Sequence, residues 1–434
     1  MASGWSNPFS SNEEALRATA MVSLTELPAS DSSSSSEDEY YSGGGGAAEG
    51  DSGGGGAAAP RRQGHPGTKG NRQATQPRPR PRPRPQPQPH LQAQLLAAVK
   101  DGAAELVRKL LVENGADPSA PGPEDPECLP VYFAVKRGDA AVVLVLLEHN
   151  ADLNQAKTSS GATPTFIAAQ EGHIDIVKVL MDRSADPNIG LVSDARTPIW
   201  QAAQNGHVDG VKMLLAHNAD PNKARATDGV TPLFIAAQQG CVEVVRTLLD
   251  HNTDPNLGEN TYKRTPIYTA TWYHHIEVAK VLLAHNADPN IAATADGTTP
   301  VYTAANNGYP ELVTMLLMHN ADPNQARTDD GETPLNAAAR KCHDKVASVL
   351  LEGGADPNKA CTDDGATPLF TAVVRDPEHN STSQNDSKAA IVKMLLEHSA
   401  DPTQPRHDGA TPLQKAAHNG SRAIMKMLQQ HNPI

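Results

Sequence analysis

The feature that most constrains this chain is a comb of prolines. Pro164, Pro198, Pro232, Pro266, Pro300, Pro334 and Pro368 recur every 34 residues, and Pro187, Pro221, Pro255, Pro289, Pro323 and Pro357 form a second comb of the same period. A fixed period in this range argues against one globular core. It points to a solenoid, in which each unit completes the core of the next. The stretch from Asp228 to Asn256 shows one full unit. Thr231 is suited to cap a helix, because its hydroxyl accepts an otherwise unpaired amide of the first turn. Pro232 then sits at the first helical position, where its missing N–H costs nothing. Leu233, Ala236 and Ala237 line a short apolar face, and Gly240 predicts a left-handed stop. Val242, Val244, Val245, Leu248 and Leu249 form the face of a second, more apolar helix, which Asn252 ends in the same way. Asp254-Pro255-Asn256 turns the chain into the next unit. Helices this short cannot bury both faces as an isolated pair.

The run Thr-Pro-Leu-x-x-Ala-Ala, then Gly-x-x-x-x-Val-x-x-Leu-Leu, then Asn/Gly-Ala-Asp-Pro-Asn resembles the ankyrin repeat. About ten such units follow in phase from Leu91 to Ile434. The resemblance implies an all-α solenoid: a curved stack of antiparallel helix pairs, with β-hairpin-like loops projecting to one side. It also implies protein binding. Where the family usually places His after Thr-Pro-Leu, this chain has Phe166, Trp200, Phe234, Tyr268, Tyr302, Asn336, Phe370 and Gln414. An aromatic ladder that substitutes packing for hydrogen bonds is expected there. Asn150, Asn218, Asn252, Asn286 and Asn320 stand where the family prefers Gly, and Asn is the next residue to accept a left-handed backbone.

The domain organisation follows from composition. Residues 1–90 are rich in Ser, Gly and Pro and poor in apolar side chains, which predicts a disordered arm ahead of the repeats at 91–434. Residues 1–59 hold nine acids against Arg17 alone, and residues 60–90 hold eight bases and no acid, so the arm is neutral and the repeats carry the whole charge of −13. Such a solenoid offers no basic face for phosphates, so nucleic-acid contact is expected only through residues 60–90. No stretch is long and apolar enough to cross a membrane. Residues 1–30 show no secretory signal, and the four cysteines form no disulfide or zinc spacing. An intracellular monomer, cytoplasmic and/or nuclear, is the expectation.

Short elements of the arm invite partners. Asn7-Pro8-Phe9 resembles a motif read by EH domains, and Asn12 to Leu27 has the pattern of a short helix. Ser32, Ser33, Ser34, Ser35 and Ser36 precede Glu37-Asp38-Glu39, which resembles the phosphorylation site of an acid-directed kinase. Arg78 to Arg84 alternates with proline, predicting an extended rod that serves as a spacer, an SH3 ligand or a nuclear localisation signal. Within the repeats, the ninth unit carries a polar insert near 376–388, expected to loop out between its helices.

No catalytic constellation is present: there is no Gly-rich phosphate loop and no His-Glu-x-x-His, and neither cofactor nor metal is expected. His149, His217, His251, His285, His319, His398 and His431 recur at one place per unit. Their place at helix C-termini favours a structural role over a metal ladder. The sixth unit breaks the pattern most. Its hairpin tip reads Tyr262-Lys263-Arg264, and its first helix closes with Trp272-Tyr273-His274 where the fifth unit has Gln238-Gln239-Gly240. Tyr, Trp and Arg dominate binding hot spots, so these six residues are candidate partner contacts. The eighth unit adds Arg340 and Lys341, expected as a small basic spot. The reading is a non-enzymatic scaffold or adaptor with a preformed groove. A substrate receptor for a ubiquitin ligase and a nuclear regulatory factor are the alternatives.

Overall fold

Each regular unit begins with the same clasp. Thr163, Thr197, Thr231, Thr265, Thr299, Thr333, Thr367 and Thr411 take extended backbone and accept the amide three residues on, at 3.1–3.4 Å. The proline that follows opens a helix. The computed structural model describes residues 88–124, 127, 129–374 and 382–431. Asn7-Pro8-Phe9, the Asn12–Leu27 pattern, Ser32 to Ser36 and Arg78 to Arg84 lie outside the described residues.

Twenty helices fill the described residues, which contain no strand. They alternate between an inner and an outer member. The first pairs are α1 (Pro89–Asp101) with α2 (Ala104–Val112), and α3 (Pro130–Arg137) with α4 (Ala140–Glu148). Next come α5 (Pro164–Glu171) with α6 (Ile174–Asp182), and α7 (Pro198–Gln204) with α8 (Val208–Ala216). The middle units are α9 (Pro232–Gln239) with α10 (Val242–Leu249), α11 (Pro266–Trp272) with α12 (Ile276–Ala284), and α13 (Pro300–Asn307) with α14 (Pro310–Met318). The last three are α15 (Pro334–Arg340) with α16 (Asp344–Glu352), α17 (Pro368–Val373) with α18 (Thr382–Glu397), and α19 (Pro412–His418) with α20 (Arg422–Gln430). Each inner helix packs on its own outer helix and on the inner helices before and after it, so the core is one continuous strip. Leu233, Ala236, Val244 and Leu248 of the fifth unit are fully buried in it. The outer helices end on left-handed Asn150, Asn218, Asn252, Asn286 and Asn320, with φ between 59° and 64°.

The hairpins are loops closed by backbone bonds, such as Arg225 N–H to Val230 O at 2.9 Å. Neighbouring tips are tied in a row, Asn260 N–H donating to Asp228 O and Thr328 N–H to Asp296 O. Behind them runs the ladder of buried rungs. It corrects the expectation of packing alone, because the polar rungs also bond forward into the next hairpin. Trp200 Nε1–H donates to Val230 O at 2.9 Å, Tyr268 Oη lies 3.2 Å from Thr298 Oγ1, and Asn336 Nδ2 donates to Ala366 O at 3.0 Å. The phenylalanines Phe166, Phe234 and Phe370 have no such handle, and Gln414, the exposed position of the last unit, instead turns back to accept Thr411 N–H at 3.0 Å. Cations from the hairpins lie over several rungs: Arg225 over Trp200, Arg327 over Tyr302 and Arg406 over Phe370.

A second set of links runs along the turns between units. In each Asp-Pro-Asn, the Asp carboxylate accepts the Asn amide, as in Asp186 with Asn188 at 2.8 Å. The Asn side-chain oxygen then accepts the backbone N–H of the next unit's Asp. Asn188 takes Asp220, Asn256 takes Asp288, Asn290 takes Asp322 and Asn324 takes Asp356, all at 2.7–2.8 Å. The insert of the ninth unit departs from its expected loop. From Thr382 onward it is helical and lengthens α18 to 16 residues, while 375–381 lie outside the described residues. Lys388 is buried there, and its Nζ donates to Val374 O at 3.1 Å, capping the end of α17.

Candidate partner-binding face

The inner-helix ends and the hairpins face the same side, since Arg340 at the end of α15 reaches Glu332 in the hairpin at 2.7 Å. Going along this side, the closing residues of the inner helices are Gln204 and Asn205, Gln238 and Gln239, Trp272 and Tyr273, Asn306 and Asn307, then Arg340 and Lys341. The sixth unit is the aromatic member of an otherwise polar row. Trp272 is 40% exposed and Tyr262 is 42% exposed, and they are the exposed large aromatics among the described residues. Trp272 stacks on the buried Tyr268 at 6.3 Å between centroids and 19° between planes, which fixes its indole without covering it. Tyr273 stacks on His275, and its hydroxyl accepts from Gln238 Nε2 at 3.3 Å.

The left-handed backbone at His274 has φ 59°. In the unit before it, Gly240 holds that conformation, and a Cβ built there would come within 2.9 Å of the His275 ring, which covers the glycine from the next unit. His173 and His343 cover Gly138 and Gly308 in the same way, their Nε2–H donating to the preceding unit's Lys136 O and Asn306 O. At His274 the arrangement changes as a pair. The covering residue of the seventh unit is Tyr309, and the two rings stack at 4.0 Å. The strain of a non-glycine left-handed residue, roughly 1 kcal/mol, is set against an aromatic contact of about the same size.

The tip of the sixth unit is held from inside. The Glu259 carboxylate, its side chain only 4% exposed, accepts the amides of Thr261 and Tyr262 and the Arg264 Nε–H at 3.1 Å. Burial alone pushes this carboxyl up, yet the two amides and the guanidinium outweigh it and hold the pKa below the ordinary value. Arg264 also lies 5.0 Å from the Tyr262 ring centroid. Lys263, at φ 56°, leaves its side chain exposed.

The eighth unit corrects the basic spot expected at Arg340. Its guanidinium is engaged: Nε and Nη2 donate to Glu332 at 2.7 and 3.0 Å, and Nη2 also donates to Asn306 Oδ1 at 3.2 Å. Tyr302 donates its hydroxyl to the same Glu332 at 2.5 Å. Burial, then the Glu332 charge, lifts the Tyr302 hydroxyl well above its ordinary range. Of the two expected cations only Lys341 stands exposed without a carboxylate in reach among the described residues.

The ankyrin-repeat family profile (ankyrin repeats, three copies) matches residues 95–191, 133–225, 199–293, 257–327 and 301–382, together well over half of the 434 residues. The chain belongs to the ankyrin-repeat family. Ankyrin repeats form protein-interaction modules, and the all-helical paired architecture above is theirs. No curated protein matches the chain. Among solved structures, the human ASB11 ankyrin repeat domain is similar, at 25% identity and a TM-score of 0.45, over 56% of this chain and 100% of that one.

As ankyrin repeats, the units explain their histidines without a metal. His149, His217, His251, His285, His398 and His431 each place Nδ1–H on the carbonyl four residues back, at 2.8–3.0 Å, closing their own outer helices. Cys361, Asp363 and Asp364 bring one ligand atom each within 4.8 Å of one another. Burial and the surrounding acids push the Cys361 thiol up to about 12, and Asp364 already faces Arg406 at 3.2 Å, so the cluster is a poor thiolate site. No helix among the described residues is long and apolar enough to cross a membrane.

Proposed function

We propose that this ankyrin-repeat chain is a non-enzymatic scaffold that docks a partner protein on the inner face of its sixth unit. The observation that supports this reading is the coincidence of Tyr262 and Trp272, the exposed large aromatics of the described residues, in one unit and on one side. Trp272, Tyr273 and His274 form the floor of the contact, Tyr262, Lys263 and Arg264 its rim, and Lys341 with the Glu332-bound Arg340 its far edge. Rings held by stacking lose little freedom on binding, which is where a rigid surface gains affinity. The run Ser32 to Ser36 is proposed as a separate phosphoacceptor on the arm, intact-mass analysis of the protein from cells being its test. The docking site is tested by a photo-crosslinking residue at position 272, with position 318 on the outer helix α14 as the comparison; Met318 is 79% exposed. The partner is expected to crosslink from 272 and not from 318. Equal capture from both, or capture from 318 alone, removes the sixth unit as the docking site.

A further inference from the structure

The chemistry of the partner follows from what surrounds Trp272, and this step rests on the sixth-unit docking site. We infer that the inner face of units five to nine takes an extended, arginine- and lysine-rich segment of a partner protein. Three observations on neighbouring units converge on that ligand. First, the positions flanking the aromatic pair are carboxamides: Gln238 and Gln239 on one side, Asn306 and Asn307 on the other. Gln238 Nε2 already donates to Tyr273, Asn306 Oδ1 accepts from Arg340 and Asn306 Nδ2 donates to Asn307 Oδ1, so what they offer a ligand is their remaining hydrogens and lone pairs. A carboxamide carries both donors and an acceptor, so a row of them suits the alternating N–H and C=O of an extended main chain better than a folded surface of side chains. Second, Trp272 keeps an exposed indole while Tyr268 braces it from behind. A braced indole face attracts a guanidinium or ammonium and packs its alkyl stem.

Third, the hairpin tips beyond it are acidic. Asp296, Asp329, Asp330, Asp363 and Asp364 stand in units seven to nine, and the cations reaching them are Arg327 and Arg406. Five carboxylates against two guanidiniums leave three negative charges along these tips, and the exposed Lys263 and Lys341 on the same face reduce that surplus to one. Asp329 and Asp363 are the exposed members. The locking of Arg340 onto Glu332 matters here, because a free guanidinium on the floor would repel the ligand. The acidic repeats add a long-range pull of the same sign, residues 91–434 carrying the net −13.

The test uses the full chain with Trp5→Phe, leaving Trp200, which is fully buried, and Trp272 as the emitting tryptophans. The probes are fluorescein-labelled peptides of alternating Arg and Ser, Lys and Ser, and Glu and Ser. The Arg and Lys peptides are expected to bind with quenching of the tryptophan emission, and more weakly as salt rises. Trp272→Ala is expected to weaken them about tenfold or more, with Trp272→Phe recovering part of the loss. The pair Asp329→Asn and Asp363→Asn is expected to weaken them by roughly threefold to tenfold, an effect that shrinks in high salt. Circular dichroism of every variant should match the parent. Equal binding of the Arg and Glu peptides, or Arg-peptide binding untouched by Trp272→Ala in a folded protein, overturns the inference. If the basic peptides fail while position 272 still crosslinks a partner, the partner's class is wrong and the docking site stands; if both fail, the docking site falls as well.

Discussion

The sixth and eighth units both replace the Gln238-Gln239-Gly240 ending of the fifth, one with Trp272-Tyr273-His274 and the other with Arg340-Lys341-Cys342. Their hairpins carry the same two charges in mirrored positions. Glu259 and Arg264 in the sixth unit correspond to Arg327 and Glu332 in the eighth, each pair 68 residues apart. In the sixth unit the acid sits at the hairpin's entry and is consumed inside the loop by two amides and Arg264. In the eighth it sits at the exit, beside the helix, where it gathers Tyr302 and Arg340. The brace thus needs two things together, a carboxylate at the hairpin exit and a cation at the helix end, and the sixth unit has neither, with Arg264 and Trp272 at those positions. Sequence irregularity marks both units, and the hairpin charge order read together with the helix-end residue separates an exposed end from a brace.

The largest effect expected from breaking this comparison is on stability. Glu332→Ala removes the acceptor shared by the buried Tyr302 hydroxyl and Arg340. It should cost on the order of 2–3 kcal/mol, less than a fully buried pair because the Arg340 side chain is 43% exposed and water takes up part of the loss. Trp272→Ala, at an exposed site, should cost less than about 1 kcal/mol. Hydrogen exchange read unit by unit checks both, since a solenoid need not unfold in one step. Equal losses in the two variants would contradict the distinction between brace and surface.

The two hairpins should also fail at opposite ends of the pH scale. Glu259 is held below its ordinary 4.5, so its stabilisation is complete above that value and is lost as pH falls through the lowered folded pKa. Tyr302 is held above its ordinary 10.0, so its contribution is complete below that value and is lost as pH rises toward the folded pKa. Melting temperature against pH should therefore fall at both ends. Glu259→Gln should flatten the acid limb alone and Tyr302→Phe the alkaline limb alone. A variant that moves the other limb would break the assignment.

The smallest effect concerns His274. Replacing it by Gly removes the left-handed strain but also the ring on Tyr309, so His274→Gly should shift stability by no more than about 0.5–1 kcal/mol. Adding Tyr309→His rebuilds the glycine-under-histidine arrangement seen at Gly240 and His275. A double-mutant cycle should show favourable coupling of His274 with Tyr309, and additivity would mean that the stacked rings do not interact.

Most of the fold is legible because it is built from local rules repeated at a fixed period. Threonine caps, first-turn prolines and left-handed asparagines can each be read within a few residues. The corrected features depend on contacts between different elements. Arg340 looks free until the hairpin folds Glu332 back onto its helix. Trp200 looks like an apolar rung until its indole finds Val230, 30 residues on. The covering of Gly240 by His275 needs two units side by side. The insert looks like a loop because its Asn, Ser and Thr content is polar, yet α18 recruits its second half by continuing a turn already paid for by packing on α17 and α16. The candidate site was visible as broken periodicity in the sixth unit, whereas the separation of open from braced required the paired charges.

The asparagine links carry one more consequence, for how such a molecule changes length. From Asn188 to Asp220 and from Asn324 to Asp356 the closed circuit is 32 residues, and from Asn358 to Asp401 it is 43, yet the closing contact in the long circuit is 2.7 Å, as short as in the others. Eleven additional residues have entered without the fastening shifting. Such a ladder can therefore be extended by inserting a whole rung or by swelling one rung between its helices, whereas small additions beside the fastening itself would throw every later rung out of step.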